Sequence, residues 1–318
     1  MIFRSLAEIP AGFGPCAITI GNFDGVHVGH RQILRRLIGI ARSEGWRSAA
    51  LTFHPHPTKL VAPERAPRLL TTPEQRARLI EQQGVDEVLI LPFDSSVSQL
   101  SPEDFVREIL VDKLQTRAVL VGENFRFGYR AAGDPHTLEE LGAKYSFETD
   151  IVPPVTWRNR VISSSEIRRA IESGQISLAC RMLGRPYALE GAVVHGEGIG
   201  SKQTVPTLNL QTSAEVLPKT GVYITRTLDP ATGREWPSIT NIGYRPTFNG
   251  QGLTIETYLL APLDGPTPTG ISVSFLRWVR DEQKFENAAA LKAQILKDVS
   301  RAGVYHRRVA HAPMGARQ

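Results

Sequence analysis

Residues 21–30 read Gly-Asn-Phe-Asp-Gly-Val-His-Val-Gly-His, and this stretch decides the fold. An apolar run precedes it at residues 17–20, and a run with helical spacing of apolar residues follows it at 31–38. The order predicts a strand, a glycine-rich turn and a helix. Because the first N–H groups of a helix are unpaired and lie at the positive end of its dipole, such a turn suits phosphate. His27 and His30 add donors that can reach phosphate oxygens.

Length and composition predict two domains and an anionic ligand, and they do not call for nucleic acid. A chain of 318 residues exceeds the usual size of a single core. Its hydrophobic content of 41% can bury real cores, and its net charge of +5 suits anionic ligands such as nucleotides. That charge is too mild to demand nucleic acid, and aromatic residues are not interleaved with basic ones as stacking platforms require. The sequence predicts no particular oligomeric state.

The cysteines and the hydropathy pattern predict a cytoplasmic protein without a membrane segment. Cys16 and Cys180 are the only cysteines, and their separation does not resemble a zinc motif, so both are expected as buried thiols in a reducing compartment. His54 and His56 lack an apparent third metal ligand. No apolar run approaches the roughly 20 residues of a membrane span, and no leader peptide is expected at the start.

The first half of the chain alternates between strand-like and helix-like segments. Predicted strands lie at 16–21, 48–53, 87–91, 118–122 and 147–152, and predicted helices at 31–43, 73–83, 102–114 and 135–144. This alternation predicts an α/β domain with a doubly wound parallel sheet. Ligands of such sheets bind beyond the carboxyl ends of the strands, where the segments 21–30 and 122–128 both lie.

The character of the chain changes after Pro186. Two short helices are predicted between residues 163 and 183, and strand-like runs follow at 188–195, 221–228, 238–242, 254–260 and 271–279. Short strands separated by Gly, Pro and Asp turns predict an antiparallel β-barrel. A helix is predicted at 288–302. The predicted domains are therefore 1–185 and 186–306, with a flexible tail at 307–318.

The motifs of the first domain resemble those of a known family. Residues 21–30 are similar to the His-x-Gly-His signature of nucleotidyltransferases and, more narrowly, to the bacterial bifunctional riboflavin kinase/FMN adenylyltransferase family. Residues 162–168 resemble that family's Ile-Ser-Ser-Thr-x-Ile-Arg, with Ser165 in place of the threonine. Residues 53–57 and 122–128 resemble its Phe-x-Pro-His-Pro and Gly-x-Asp/Asn-Phe-x-Phe-Gly segments. The match extends in order over about residues 14–305.

The resemblance implies an adenylylation site in which the phosphates of ATP meet the first turn of a helix. His27 and His30 are the expected catalytic residues. The expected ATP-binding residues are Gly21, Asn22, Phe23, Asp24, His27, Gly29, His30, Ser163, Ser164, Ser165 and Arg168. The expected flavin-binding residues are His56, Pro57, Asn124 and Arg126. Asp24 is read equally well as a structural turn residue, and Phe125 and Phe127 as core residues.

The second domain carries a glycine run that resembles the riboflavin kinase signature. Its expected ATP-binding residues are Gly196, Gly198, Gly200, Ser201, Lys202, Thr207 and Asn209. The resemblance implies that Thr207 and Asn209 also bind Mg²⁺, and both offer oxygen ligands that suit this ion. Residues 200–205 depart from the family's Gly-Arg-x-x-Gly-Phe, and Lys202 can supply the lost charge. This run is not a P-loop, because the Gly-x-x-x-x-Gly-Lys-Ser/Thr pattern is absent.

Two further segments of the second domain, 241–248 and 275–285, resemble Asn-Ile-Gly-x-Arg-Pro-Thr-Phe and Leu-Arg-x-Glu-x-Lys-Phe of the same family. Glu256 then falls where the family has its general base. The expected reactions are phosphorylation of riboflavin by ATP to FMN, then adenylylation of FMN to FAD with release of pyrophosphate. Two alternatives stay open: an adenylyltransferase for another phosphate acceptor with an inactive barrel, and a flavin-binding regulator without enzymatic activity.

Overall fold

A computed structural model describes residues 1–194, 207–247 and 250–310 of the chain. The chain forms two compact units, Met1–Ser164 and Ser165–Gln318. The division lies before the two short helices that the sequence analysis assigned to the first domain. The predicted domain bounds, 1–185 and 186–306, stay a prediction.

The first unit is built on a six-stranded parallel sheet. Its strands are β1 (Ile2–Phe3), β2 (Cys16–Ile20), β3 (Arg47–His54), β4 (Glu87–Pro92), β5 (Thr116–Gly122) and β6 (Glu148–Val152). They are ordered β1-β4-β3-β2-β5-β6, and every pairing is parallel. The chain winds outward in opposite directions from β2, so a crevice opens at the carboxyl ends of β2 and β5. A small antiparallel hairpin follows, of β7 (Thr156–Trp157) and β8 (Arg160–Val161).

Helices cover both faces of this sheet. They are α1 (Val28–Glu44), α2 (Pro57–Val61), α3 (Pro73–Glu81), α4 (Ser95–Ser98), α5 (Pro102–Asp104) and α6 (Pro135–Tyr145), and α5 continues into a π-helix at Phe105–Lys113. Leu34 of α1 and Ile80 of α3 pack against one face of the strands. Phe105 of the π-helix and Leu138 of α6 pack against the other. This arrangement confirms the predicted doubly wound α/β fold.

The second unit contains a closed antiparallel barrel. Its strands are β9 (Tyr187–Val194), β10 (Thr207–Gln211), β11 (Gly221–Leu228), β12 (Glu235–Thr247), β13 (Gly250–Leu259) and β14 (Gly270–Arg280). The order is β10-β13-β12-β11-β14-β9, and β9 closes the barrel on β10. The helices α7 (Ser164–Glu172) and α8 (Ile176–Leu183) precede it, and α9 (Ala288–Ala310) follows. The predicted barrel is confirmed.

The structure corrects three expectations of the sequence analysis. Helix α9 runs to Ala310 rather than 302, because Ala302 and Tyr305 continue its apolar face against the barrel, so residues 307–310 are helical rather than tail. Strand β10 was not predicted, since its residues were read only as a phosphate motif. Cys180 is only partly buried. Cys16 is buried as expected, and burial raises the pKa of its thiol to about 11.

No helix of the described residues has the length and apolar character needed to cross a membrane.

Candidate active sites

The turn between β2 and α1 brings the two predicted histidines into contact. His27 caps the helix, and its Nδ1 accepts a hydrogen bond of 3.3 Å from the backbone N–H of His30. The imidazole rings stack with centroids 3.6 Å apart and planes inclined by 18°. Because Nδ1 is the acceptor, the neutral His27 ring carries its proton on Nε2. The cap therefore fixes which nitrogen of His27 can donate to a phosphate oxygen.

Gly29 makes the stacked pair possible. A Cβ at this position would lie 3.1 Å from Cε1 and 3.2 Å from Nδ1 of His27. These distances are tighter than ordinary van der Waals contact, so the His27 ring would have to shift by a few tenths of an ångström to admit a side chain here. The His27 ring in this position therefore favours glycine at residue 29.

Asp24 anchors the turn. Its carboxylate is only 2% exposed and accepts hydrogen bonds of 3.0–3.2 Å from the backbone N–H groups of Leu70 and Thr71 and from the Thr71 hydroxyl. The Thr71 hydroxyl also accepts from the N–H of Gly25. This geometry supports the structural interpretation of Asp24. Its predicted role in ATP binding stays a prediction.

The turn is strained as well as anchored. Phe23 has φ +46° and Val26 has φ +39°, a left-handed conformation that costs free energy for residues with a Cβ and most for a β-branched one. Such a conformation persists only where surrounding contacts enforce it. Both side chains are buried in the core beneath α1, which supplies part of that enforcement.

The serine segment before α7 lies beside the same turn. Ser164 Oγ donates a hydrogen bond of 2.9 Å to the carbonyl oxygen of Asp24. The carbonyl oxygen of Ile162 would lie 3.9 Å from a Cβ at Gly29. The structure therefore places Ser163 and Ser164 next to residues 24–29. Ser165 and Arg168 belong to the second unit, where the Arg168 guanidinium donates to the Ser165 hydroxyl at 3.5 Å.

The predicted flavin-binding residues lie at two other strand ends of the first unit. His56 follows β3 and caps α2, where its Nδ1 accepts from the N–H of Thr58, and Pro57 is the first residue of that helix. Asn124 and Arg126 follow β5 and are exposed. Phe127 lies in the core, as predicted, and Phe125 stacks on it.

In the barrel, strand register places the predicted base in a row of polar residues. Glu256 of β13 is directly opposite Asn209 of β10 on one side and Asn241 of β12 on the other. Directly opposed residues in an antiparallel pair project to the same face. Their neighbours Thr240 and Thr257 face the opposite side and join through their hydroxyls at 3.0 Å. Three strands therefore present a carboxylate between two amides.

Glu256 and Asn241 of this row line a cavity of about 260 Å³ between the barrel and α9. Glu256 is only 4% exposed. The cavity is also lined by apolar side chains that suit a planar ring, Val222, Ile239, Tyr258, Phe285, Leu291 and Ile295. Arg280 and Asp298 also line the cavity and form an ion pair with nitrogen–oxygen distances of 2.9 and 2.7 Å. The pair ties β14 to α9, so it holds the two walls of the cavity together.

The predicted metal ligands are on strand β10. Thr207 and Asn209 are two residues apart, so both project to the face that carries Glu256. Hydroxyl, amide and carboxylate oxygens are the donors that Mg²⁺ prefers, with phosphate and water completing its shell. Within the described residues, no group of three or more His, Cys, Asp or Glu could hold a metal without such help. The predicted ATP-binding residues Gly196, Gly198, Gly200, Ser201 and Lys202 lie outside the described residues.

Comparison with known proteins decides the family. A family model described as FAD synthetase matches residues 10–166, and one described as riboflavin kinase matches residues 183–306. A bifunctional riboflavin kinase/FMN adenylyltransferase of Pseudomonas fluorescens is 37% identical over 95% of this chain and 96% of its own length. The chain belongs to this family. The Escherichia coli K12 member is 35% identical over 89% of this chain and 90% of its own.

A solved structure agrees with the fold. The crystal structure of a protein from Streptococcus pneumoniae described as a macrolide-efflux protein superimposes with a TM-score of 0.81 and 25% identity. It covers 94% of this chain, and this chain covers 96% of it. The family models and curated relatives confirm the resemblance on which the sequence analysis rested, over both units.

The structure also identifies residues that the sequence analysis missed. Arg76 of α3 is fully buried beneath the turn that carries His27, and the Arg280–Asp298 pair holds the cavity of the barrel. A signal for Arg76 was present, because it lies four residues before Ile80 and hence on the apolar face of its helix. The pairing of Arg280 with Asp298 had no such signal, since it depends on how α9 packs.

Proposed function

We propose that the barrel phosphorylates riboflavin with Glu256 as its general base and that the turn at residues 21–30 adenylylates the resulting FMN. The two reactions are those of the family to which the chain belongs. The observation that carries the kinase assignment is the register of Asn209, Glu256 and Asn241, two of which line a cavity that also has an apolar wall. The stacked histidines at the start of α1 carry the other assignment.

In the kinase reaction, the isoalloxazine ring would pack against the apolar wall of the cavity and the ribityl chain would extend toward Glu256. The carboxylate takes the proton of the 5′-hydroxyl as its oxygen bonds to the γ-phosphorus of ATP. The bond between that phosphorus and the β,γ-bridging oxygen breaks, and ADP leaves. Burial of Glu256 keeps water away from the reacting oxygen, which strengthens its interactions there.

In the adenylylation reaction, a phosphate oxygen of FMN attacks the α-phosphorus of ATP and pyrophosphate leaves. The protein mainly aligns the groups and stabilises charge. Nε2 of His27 donates to a phosphate oxygen, and the first N–H groups of α1 contribute the positive end of its dipole. His30 holds the His27 ring by stacking and by its backbone N–H.

Mg²⁺ is the proposed metal of the kinase site, with Thr207 and Asn209 as its protein ligands. Bound there with ATP, the ion would neutralise phosphate charge. Substitution of Asn209 by Ala is expected to raise the Mg²⁺ concentration needed for half-maximal FMN formation, as measured by titration at saturating ATP. We also place the enzyme in the cytoplasm, which cell fractionation with an antibody can test.

Separate assays of the two reactions test these assignments. Glu256→Gln is expected to lower FMN formation from riboflavin by at least 100-fold while leaving conversion of supplied FMN to FAD intact. His27→Ala is expected to lower conversion of supplied FMN to FAD while leaving FMN formation from riboflavin intact. Matched controls are Glu235→Gln, an exposed strand carboxylate, and His136→Ala, an exposed helical histidine. FMN formation undiminished in Glu256→Gln would refute the kinase assignment, and FAD formation undiminished in His27→Ala would refute the other.

A further inference from the structure

Arg76 connects two loops of the first unit, the turn at residues 21–30 and the loop that follows β3. Its side chain is fully buried, and the two hydrogens of one terminal nitrogen, Nη1, reach three acceptors, so one of them is shared. The acceptors are the carbonyl oxygen of Asn22 at 2.8 Å, the hydroxyl of Thr52 at 2.8 Å and the carbonyl oxygen of Phe53 at 3.2 Å. Asn22 begins the turn that carries His27, and Phe53 lies at the end of β3, just before the loop that carries His56.

The contacts form a closed arrangement at the carboxyl ends of two neighbouring strands. The Thr52 hydroxyl donates in turn to the carbonyl oxygen of Asn22 at 3.1 Å. One nitrogen of Arg76 and one hydroxyl therefore fix where the chain leaves β2 relative to where it leaves β3. In a parallel sheet this edge is where ligands bind.

The charge of Arg76 is only partly balanced. Burial lowers the pKa of its guanidinium, and the nearby carboxylates of Asp24 and Glu74 oppose that change. The Asp24 carboxylate is already shared among the N–H groups of Leu70 and Thr71. Nε and Nη2 of Arg76 make no hydrogen bond to any described residue. A buried arginine with unfilled donors costs stability, and its charge lies directly beneath the turn that carries His27.

We propose that Arg76 is a positioning residue for adenylyl transfer. It holds the strained turn that presents His27 and the loop that presents His56 at a fixed separation, and it places a positive charge in a low-dielectric layer beneath the phosphates. This inference rests on the proposed location of the adenylylation site. It adds a residue that touches neither substrate and acts through the carbonyl groups of Asn22 and Phe53.

Steady-state kinetics of the full-length enzyme test the proposal. Arg76→Met removes the charge and the hydrogen bonds but keeps the apolar stem. We expect kcat for conversion of FMN to FAD to fall on the order of 100-fold, because misalignment of reacting groups acts mainly on the chemical step. We expect KM for FMN to change less than kcat, and riboflavin phosphorylation by the same sample to stay within about twofold, as an internal control. Arg76→Lys, which keeps the charge, should recover about tenfold of the loss.

Ile80→Ala distinguishes positioning from simple loss of stability. Ile80 is a fully buried residue of the same helix, in the core rather than on the loops, so its truncation weakens α3 without removing the loop contacts. Thermal unfolding of the variants is measured alongside kcat. We expect Ile80→Ala to melt at a lower temperature yet keep kcat for FAD formation within about threefold at 20 °C, where it is folded.

Three outcomes would overturn the proposal: equal losses of kcat in Arg76→Met and Ile80→Ala, no recovery in Arg76→Lys, or an effect on KM alone. The result is also separable from the proposed site. Loss of FAD formation in His27→Ala with full activity in Arg76→Met would refute the role of Arg76 alone. Loss in Arg76→Met with full activity in His27→Ala would instead refute the location of the site.

Discussion

The two candidate sites fix their reactive groups in different ways. In the first unit, His27 and His56 lie on loops beyond strand ends, and buried polar side chains such as Asp24 and Arg76 hold those loops. In the barrel, Asn209, Glu256 and Asn241 lie within strands, and the hydrogen-bond register of the sheet places them side by side. The first arrangement depends on individual side-chain hydrogen bonds, and the second depends on backbone hydrogen bonds between strands.

The difference predicts how each site responds to substitution. Removing one anchor under a loop displaces every reactive group that the loop carries, so the effect spreads. Removing one side chain from a strand leaves the backbone ladder and the neighbouring residues in place, so the effect stays local. The exception in the barrel is its second cavity wall, α9, which no strand register holds.

The largest loss of stability is expected from breaking the Arg280–Asp298 ion pair, which joins α9 to the barrel. Asp298→Ala leaves the Arg280 guanidinium, whose side chain is 15% exposed, without its carboxylate. Loss of one partner of a buried pair costs about 3 kcal/mol or more, so thermal unfolding of the second unit should shift down markedly. FMN formation should fall with it, and FAD formation from supplied FMN should not.

The double variant Arg280→Met with Asp298→Leu is the control for this change. Replacing a buried pair by apolar residues of similar size is often neutral, so the double variant should recover most of the stability. A double variant as unstable as the single one would mean that the hydrogen bond from Gln294 to Asp298, rather than the ion pair, is what matters. Parallel loss of both activities would show that the two sites do not respond independently.

The sequence predicted the first site better than the second. The turn at 21–30 is local, so its order of strand, glycines and helix was readable, and its histidines were found in contact. The row around Glu256 depends on pairing between β10 and β13, which are far apart in the chain, and β10 was not predicted as a strand. Glu256 was reached through family resemblance. Arg76 and the Arg280–Asp298 pair act through tertiary contacts that periodicity does not specify.

An intermediate loss of stability is expected from removing the charge of Asp24, which holds the turn at residues 21–30 together with Arg76. In Asp24→Asn, the side chain keeps its size but replaces one acceptor oxygen by a donor that faces the N–H groups of Leu70 and Thr71. Hydrogen bonds to charged groups contribute roughly 1.5–3 kcal/mol, so the first unit should lose about 2 kcal/mol of stability, measured by urea unfolding. FAD formation should fall about tenfold, with FMN formation unchanged. Unchanged FAD formation would mean that Arg76 alone suffices to hold the turn.

The smallest change in stability is expected at Gly29, where loss of activity and loss of stability are most clearly separated. Alanine favours a helix over glycine by about 1 kcal/mol, and Gly29 is the second residue of α1, so Gly29→Ala should leave the melting temperature equal or slightly raised. The new methyl group would nevertheless press on the His27 ring at 3.1 Å. FAD formation should therefore fall about tenfold in a protein that is no less stable, because reacting groups displaced by a fraction of an ångström lose alignment.

Gly39→Ala is the matched control, since its Cβ would meet nothing within 4 Å on the same helix. Equal activity in the two variants would mean that adenylyl transfer does not depend on where the turn holds His27.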